Sequence, residues 1–175
     1  LDRALAATPI NPIIIGNVNA DPFDGQGIRS GIAGVLVRPD LQDPMPMSLG
    51  AKQAADLNQV GDPALDTADW SDDGPGNLRV SYILPSRALN VVGAGVFWPA
   101  QNDPLAVLLG SDGLAAGPHR LVWAGCYTHL TPPTNFPVYI LAVAASLRKP
   151  PSHNPLLSTL AILLYPHHPH LPPTP

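Results

Sequence analysis

The chain has 175 residues, of which 45% are apolar, so it can bury one sizeable hydrophobic core. A formal charge of −4, with only nine Lys plus Arg, excludes the basic surface that tracks a nucleic-acid backbone, and we expect no duplex nucleic acid as a partner. The single cysteine, Cys126, excludes an internal disulfide framework.

The first forty residues contain two helical patterns and one short strand pattern. Leu1 to Ala7 has helical spacing and ends at the Pro residues that follow. Ile13 to Ile15 is a continuous β-branched run, which predicts a central strand covered on both faces. Gly16 to Gly27 is predicted to be a loop, and Ile28 to Val37 a helix whose apolar face packs inward.

The next part of the chain changes from turns to strands. Arg38 to Gly76 is rich in Pro, Asp and Gly, and only Ala51 to Val60 is predicted to be helical. Strands are then predicted at Leu78 to Leu84, Leu89 to Trp98 and His119 to Ala124. A strand, a helix and then several strands indicate an α+β fold.

The C-terminal segment has a composition of its own. From Pro132 onward, prolines cluster with His, Thr and Leu, and acidic residues disappear, which places a boundary near Gly125 and predicts units 1–125 and 126–175. Two apolar runs, FPVYILAVAASL and LLSTLAILLY, are each shorter than the roughly 20 residues that span a bilayer, so no membrane partner is expected. Because CYTHLTPPTN resembles translated sequencing-adapter strings, we expect a non-native, disordered or irregular tail.

Three short segments place polar residues at the ends of predicted strands: GNVNADP, RVSYILPS and GPHRLVW. In this order, and together with GDPALDTADW and GPGNLRVSYILPS, they resemble the endonuclease/exonuclease/phosphatase superfamily, in particular a bacterial branch. The similarity extends from Leu1 to Ala124 and corresponds to the C-terminal half of such a domain. The resemblance implies a partial DNase-I-like β-sandwich flanked by helices, and a phosphate ester as the substrate of its relatives.

The resemblance also implies a set of site residues. Family members carry Gly-Asp-Phe-Asn, Asp-Tyr and Ser-Asp-His motifs and use a divalent cation, usually Mg²⁺, to offset phosphate charge. In this chain Asn17 occupies the position of the aspartate in the first motif, and Asn19 matches the asparagine of that motif. Ser81 occupies the position of the aspartate in the second motif. Pro118 stands at the third aspartate, and His119 matches the histidine. All three acids are therefore replaced.

The replacements predict a chain that is inactive as a phosphoesterase. An amide accepts no proton near neutral pH, and proline has no side-chain acceptor to orient His119. An alternative alignment lets Asp112 stand for the third aspartate. A second hypothesis is a non-catalytic module that binds phosphate or a partner through Asn19, Arg79 and His119. A third is that the chain has no function of its own, because it is truncated upstream, where the family's metal-binding glutamate would lie, and extended artificially downstream.

The remaining carboxylates are interpreted as turn formers in a solvated loop, since Asp beside Pro and Gly is typical of turns. They are Asp21, Asp24, Asp62, Asp66, Asp69, Asp72 and Asp73. Residues 66–73 are a candidate calcium-binding loop. The candidate is weak, because these residues lack the regular ligand spacing of a calcium loop. Strand edges left exposed by the missing half predict self-association.

Overall fold

The computed structural model describes residues 11–111, 113–115, 117–128, 139–143 and 160–165. Helices and antiparallel sheets are both present, which confirms the predicted α+β class. Within the described residues the helices are α1 (Arg29–Leu36) and α2 (Leu49–Gln53), with 3₁₀ turns at Pro63–Leu65 and Pro104–Leu109. The strands are β1 (Asn11–Asn17), β2 (Ala68–Asp69), β3 (Asn77–Leu78), β4 (Ser81–Pro85), β5 (Leu89–Phe97), β6 (Leu121–Thr128), β7 (Tyr139–Val143) and β8 (Leu160–Tyr165).

These strands form two three-stranded sheets and one short ribbon. In the first sheet β1 lies between β4 and β8 and pairs antiparallel with both. In the second sheet β6 lies between β5 and β7. Strands β2 and β3 pair with each other. The order places the ends of β1 and β4 side by side, with Asn17 opposite Ser81.

Strand β1 is buried on both faces, as its sequence predicts. Ile13 and Ile15 pack in a cluster with Val96, Val122 and other residues of the second sheet. Ile14 faces the opposite way and packs with residues of α1 and β4. Because side chains alternate along a strand, three consecutive isoleucines serve both layers.

The helices differ from their predicted extents. In α1 only Ile32 is fully buried, whereas Ile28 and Val37 at the predicted ends are about four-fifths exposed. Helix α2 begins earlier than predicted because Ser48 caps it, its Oγ accepting a hydrogen bond from Ala51 N. The helix ends at Gln53, so the predicted extension to Val60 is wrong.

The strand predicted at Leu78 to Leu84 is divided into β3 and β4. The break lies at Arg79 and Val80, whose N–H groups bond to side chains instead of a neighbouring strand. Asp21 Oδ2 accepts from Arg79 N at 2.6 Å, and Thr67 Oγ1 accepts from Val80 N at 2.9 Å. These two side chains redirect the backbone from the ribbon into the first sheet.

The predicted boundary at Gly125 falls inside β6, which continues to Thr128. The prediction of an irregular tail is wrong for β7 and β8, which pair with β6 and β1 respectively. The rest of the predicted tail, and the predicted helix at Leu1 to Ala7, lie outside the described residues. In the part of the chain that the structure describes, no helix has both the length and the apolar character to span a bilayer.

Candidate functional site

Three of the four predicted site residues lie together. Asn17 is the last residue of β1 and faces Ser81, the first residue of β4, across the strand pair. Residues directly opposite in an antiparallel pair project from the same face. His119 precedes β6 and is held by a bridge to Ala68, and its Nε2 lies 3.5 Å from Asn17 Nδ2. The strand ends therefore bring an amide, a hydroxyl and an imidazole together.

The imidazole of His119 is half-buried beside the ring of Trp70. The two rings meet edge to face with centroids 5.2 Å apart. His119 Nδ1 is buried and has no hydrogen-bond partner among the described residues. Burial, and then the positive charge of Arg120, lower the pKa of His119 below the usual imidazole value. The ring is thus predominantly neutral at pH 7.

Ser81 is the most buried member of the group, with 1% of its surface exposed. Its backbone N–H donates to Thr67 Oγ1 at 2.9 Å. Its own Oγ has no hydrogen-bond partner among the described residues. A hydroxyl whose partner is missing inside a protein is costly, so Ser81 Oγ and His119 Nδ1 mark an incompletely satisfied polar site.

The other two positions of the motifs have backbone roles in the structure. Asn19 is exposed with φ +51°, and its N–H donates to Asn17 Oδ1 at 3.0 Å, a local turn that orients the Asn17 amide. The Pro118 carbonyl oxygen accepts from Asp69 N at 2.9 Å. Asp112, the alternative for the third aspartate, lies outside the described residues.

Both arginines near the site are already paired. Arg79 binds Asp43 through two hydrogen bonds of 2.8 and 2.6 Å, so the hypothesis that it holds an anion is not supported by its position. Arg120 binds Asp69 at 2.7 Å, and its guanidinium lies over the ring of Trp98 at 4.4 Å. The Arg120 pair was missed from the sequence, although Arg120 directly follows His119 in the GPHRLVW motif.

The interpretation of the loop carboxylates as solvated is wrong for Asp21, Asp24 and Asp66, which are all buried. It holds for Asp62, which is exposed and caps the 3₁₀ turn by accepting from Ala64 N at 3.0 Å. Asp21 does form a turn, since its Oδ1 accepts from the N–H groups of the second and third residues after it. Aspartate therefore builds buried structure in this protein, in addition to surface turns.

The site residues do not fit a Mg²⁺ ion. Mg²⁺ is usually bound through one or two carboxylates, whereas the side chains of Asn17, Ser81 and His119 are neutral. Among the described residues, no group of three or more His, Cys, Asp or Glu side chains is arranged to hold a metal ion, and residues 66–73 supply none. The nearby Asp69 carboxylate is engaged by Arg120.

Comparison of the chain with models of protein families, with curated proteins and with solved structures finds no match. The family resemblance therefore stays a prediction from sequence motifs. The structural observation available for it is the proximity of Asn17, Ser81 and His119, which are separated by up to 102 positions in sequence.

Proposed function

We propose that the chain carries the C-terminal half of a metal-dependent phosphoesterase domain of the DNase-I-like type, with a hydrolytic site that is inactive. The observation that carries this proposal is the meeting of Asn17, Ser81 and His119 at the ends of separate strands, as the motif resemblance requires. A core cluster shared by β1, β4, β5 and β6 supports the accompanying proposal of a two-sheet sandwich.

The chemistry of the three side chains explains why the proposed site would not turn over an ester. Asn17 has no basic group that could take a proton from water. Ser81 and Pro118 supply no carboxylate to fix the tautomer of His119 or to bind a divalent cation. The proposed site therefore offers a phosphate ester no carboxylate to hold the Mg²⁺ with which the enzymes of the resembled family offset the charge of their substrate.

A non-catalytic binding module is the second candidate. The observation that favours it is the pair of unpartnered buried atoms, Ser81 Oγ and His119 Nδ1, because a ligand atom could complete their hydrogen bonds. Titration with inorganic phosphate, followed by the NMR signals of His119 and Asn19, tests this candidate. Unchanged signals at millimolar phosphate would count against it.

The first testable prediction concerns hydrolysis. Purified protein with Mg²⁺ or Mn²⁺ should hydrolyse bis(p-nitrophenyl) phosphate and p-nitrophenyl phosphate no faster than its His119→Ala variant, because the imidazole has no acidic partner. The absorbance of the released p-nitrophenolate measures both rates. Turnover about tenfold or more above the variant would refute the proposed inactivity.

The second prediction concerns the charge of the site. Asn17→Asp should raise the pKa of His119, because a carboxylate replaces the amide that now lies 3.5 Å from Nε2 and stabilises the imidazolium. The C2–H signal of His119, followed by NMR against pH, measures the change. Asn19→Asp is the matched control, since that exposed side chain makes no hydrogen bond to the histidine in the described part of the chain. Equal titration curves for the two variants would show that Asn17 and His119 are not neighbours in solution.

A further inference from the structure

Asp66 is a buried carboxyl group that is not part of the candidate site. It follows the 3₁₀ turn Pro63–Leu65, and 2% of its surface is exposed. The side chain of Gln59 donates a hydrogen bond from Nε2 to Asp66 Oδ2. That contact links Asp66 to residues 56–61, a turn-rich segment that follows α2.

The groups around Asp66 are mostly of its own charge. Asp21 and Asp24 act on it from the loop after β1, and Asp56 acts from the segment after α2. The phenol of Tyr82 in β4 is also a titratable neighbour, because Asp66 is among the charges that act on it. Within the described residues Asp66 forms no ion pair, and no arginine or lysine is among the groups that act on it.

The three neighbouring carboxylates have backbone donors that Asp66 lacks. Asp21 Oδ2 accepts from Arg79 N at 2.6 Å, and Asp56 Oδ2 accepts from Asn77 N at 2.7 Å. Asp24 accepts from the N–H groups of Val60 and Gly61 at 2.8 and 2.9 Å. In the described structure no backbone N–H donates to the carboxyl of Asp66, whose one hydrogen bond comes from a neutral amide. Its negative charge is thus the least compensated of the four.

We propose that Asp66 is a pH-sensitive latch, which keeps residues 56–61 closed over it while its carboxyl carries a proton and lets them open when the proton is lost to water. Loss of the proton places a negative charge at a buried position on which three other aspartates act unfavourably, with no cation among the groups that act on it. Opening relieves this repulsion, because water can then solvate the carboxylate. The Gln59 hydrogen bond favours the ionised form, but burial and the three like charges outweigh it.

The latch is connected to the candidate site through the next residue, Thr67. Its Oγ1 accepts from Val80 N and Ser81 N, and its carbonyl oxygen accepts from Arg120 N at 2.8 Å. A shift of Asp66 toward solvent therefore pulls on the backbone that positions Ser81 and on the residue beside His119.

The direction of the pH dependence follows from the same surroundings. Burial, and then the charges of Asp21, Asp24 and Asp56, raise the pKa of Asp66 from 3.8 to about 7. Between these two values the folded protein holds a proton that the unfolded chain has released. The folded state is consequently destabilised as the pH rises from about 4 to about 7, and this contribution is constant above that range.

Amide hydrogen exchange of Val60 and Gly61 tests the latch, because both N–H groups lie on the segment expected to open. Their protection factors, corrected for intrinsic exchange, should fall about tenfold between pH 6 and pH 8. Over this range the protonated fraction of a carboxyl group with a pKa near 7 also falls about tenfold. Asp66→Asn, which is permanently neutral, should remove this fall. Asp73→Asn, at an exposed position, is the matched control and should keep it.

Two results would overturn the proposal: no fall in protection in the wild-type protein, or the same fall in Asp66→Asn. If that variant does not fold, the ¹³C carboxyl resonances of the wild-type protein decide the question. A titration midpoint for Asp66 near neutral pH supports the latch. A midpoint in the ordinary aspartate range, near 4, removes its basis.

Discussion

Gly50→Ala is expected to destabilise the protein by about 3 kcal/mol or more, or to prevent folding. A Cβ at this position would overlap the carbonyl oxygens of both Trp98 and Pro99, far inside van der Waals contact. Neither backbone group can move away easily, since Gly50 N also donates to Trp98 O at 3.0 Å and holds α2 against the end of β5. Urea unfolding followed by tryptophan fluorescence measures the change in the free energy of unfolding.

Gly34→Ala in α1 is the matched control for this variant. The space around Gly34 is open, with no heavy atom within 4 Å of a built Cβ. Alanine should therefore stabilise the exposed helix by about 0.5 to 1 kcal/mol, because it restricts the unfolded chain and favours helix. A Gly50→Ala variant with a stability within about 1 kcal/mol of wild type would show that α2 does not pack on Trp98 and Pro99 as described.

Thr67→Val is expected to cost about 2 to 4 kcal/mol of stability. Valine has nearly the same shape but no hydroxyl, so the N–H groups of Val80 and Ser81 would both lose their acceptor at a fully buried position. Thermal and urea unfolding measure the loss. Because these N–H groups fix the start of β4, the NMR signals of His119 should shift as well.

Thr67→Ser provides the control, since it keeps the hydroxyl and removes one buried methyl group worth about 1 kcal/mol. If Thr67→Val costs less than about 1 kcal/mol, and so no more than Thr67→Ser, the hydroxyl bonds to Val80 and Ser81 contribute little to stability.

Much of the fold follows from local sequence patterns. Continuous or alternating apolar residues predict β1, β5 and the start of β6, because the two-residue period of a strand is set by the backbone alone. The sequence predicts a helix that ends at Val60, seven residues beyond the observed end of α2 at Gln53. The cap at Ser48 shows its true start, and serine before a helical stretch is a signal that sequence reasoning could have used.

Side-chain bonds between distant residues could not be read from the sequence. Asp21 and Arg79 are 58 positions apart, and no periodicity connects them. The burial of Asp66 is hidden for the same reason, because Asp beside a proline-rich turn has the composition of a surface loop. For the site, strand ends and the order of the motifs predict Asn17, Ser81 and His119. The ion pair of Arg120 with Asp69 cannot be predicted in this way, because it depends on how β2 meets the start of β6 in the folded protein.

Different side chains hold the backbone at the β3–β4 break and form the candidate site, and this separation has a consequence for protein engineering. Asp21 and Thr67 hold the backbone there, while the side chains of Asn17 and Ser81 make few of the bonds that the fold depends on. The side chains that hold the backbone at the break are thus different from the side chains that make up the candidate site. A library that randomises Asn17, Ser81 and Pro118 among small residues should therefore leave Asp21 and Thr67 unchanged, because these two side chains hold the backbone at the break.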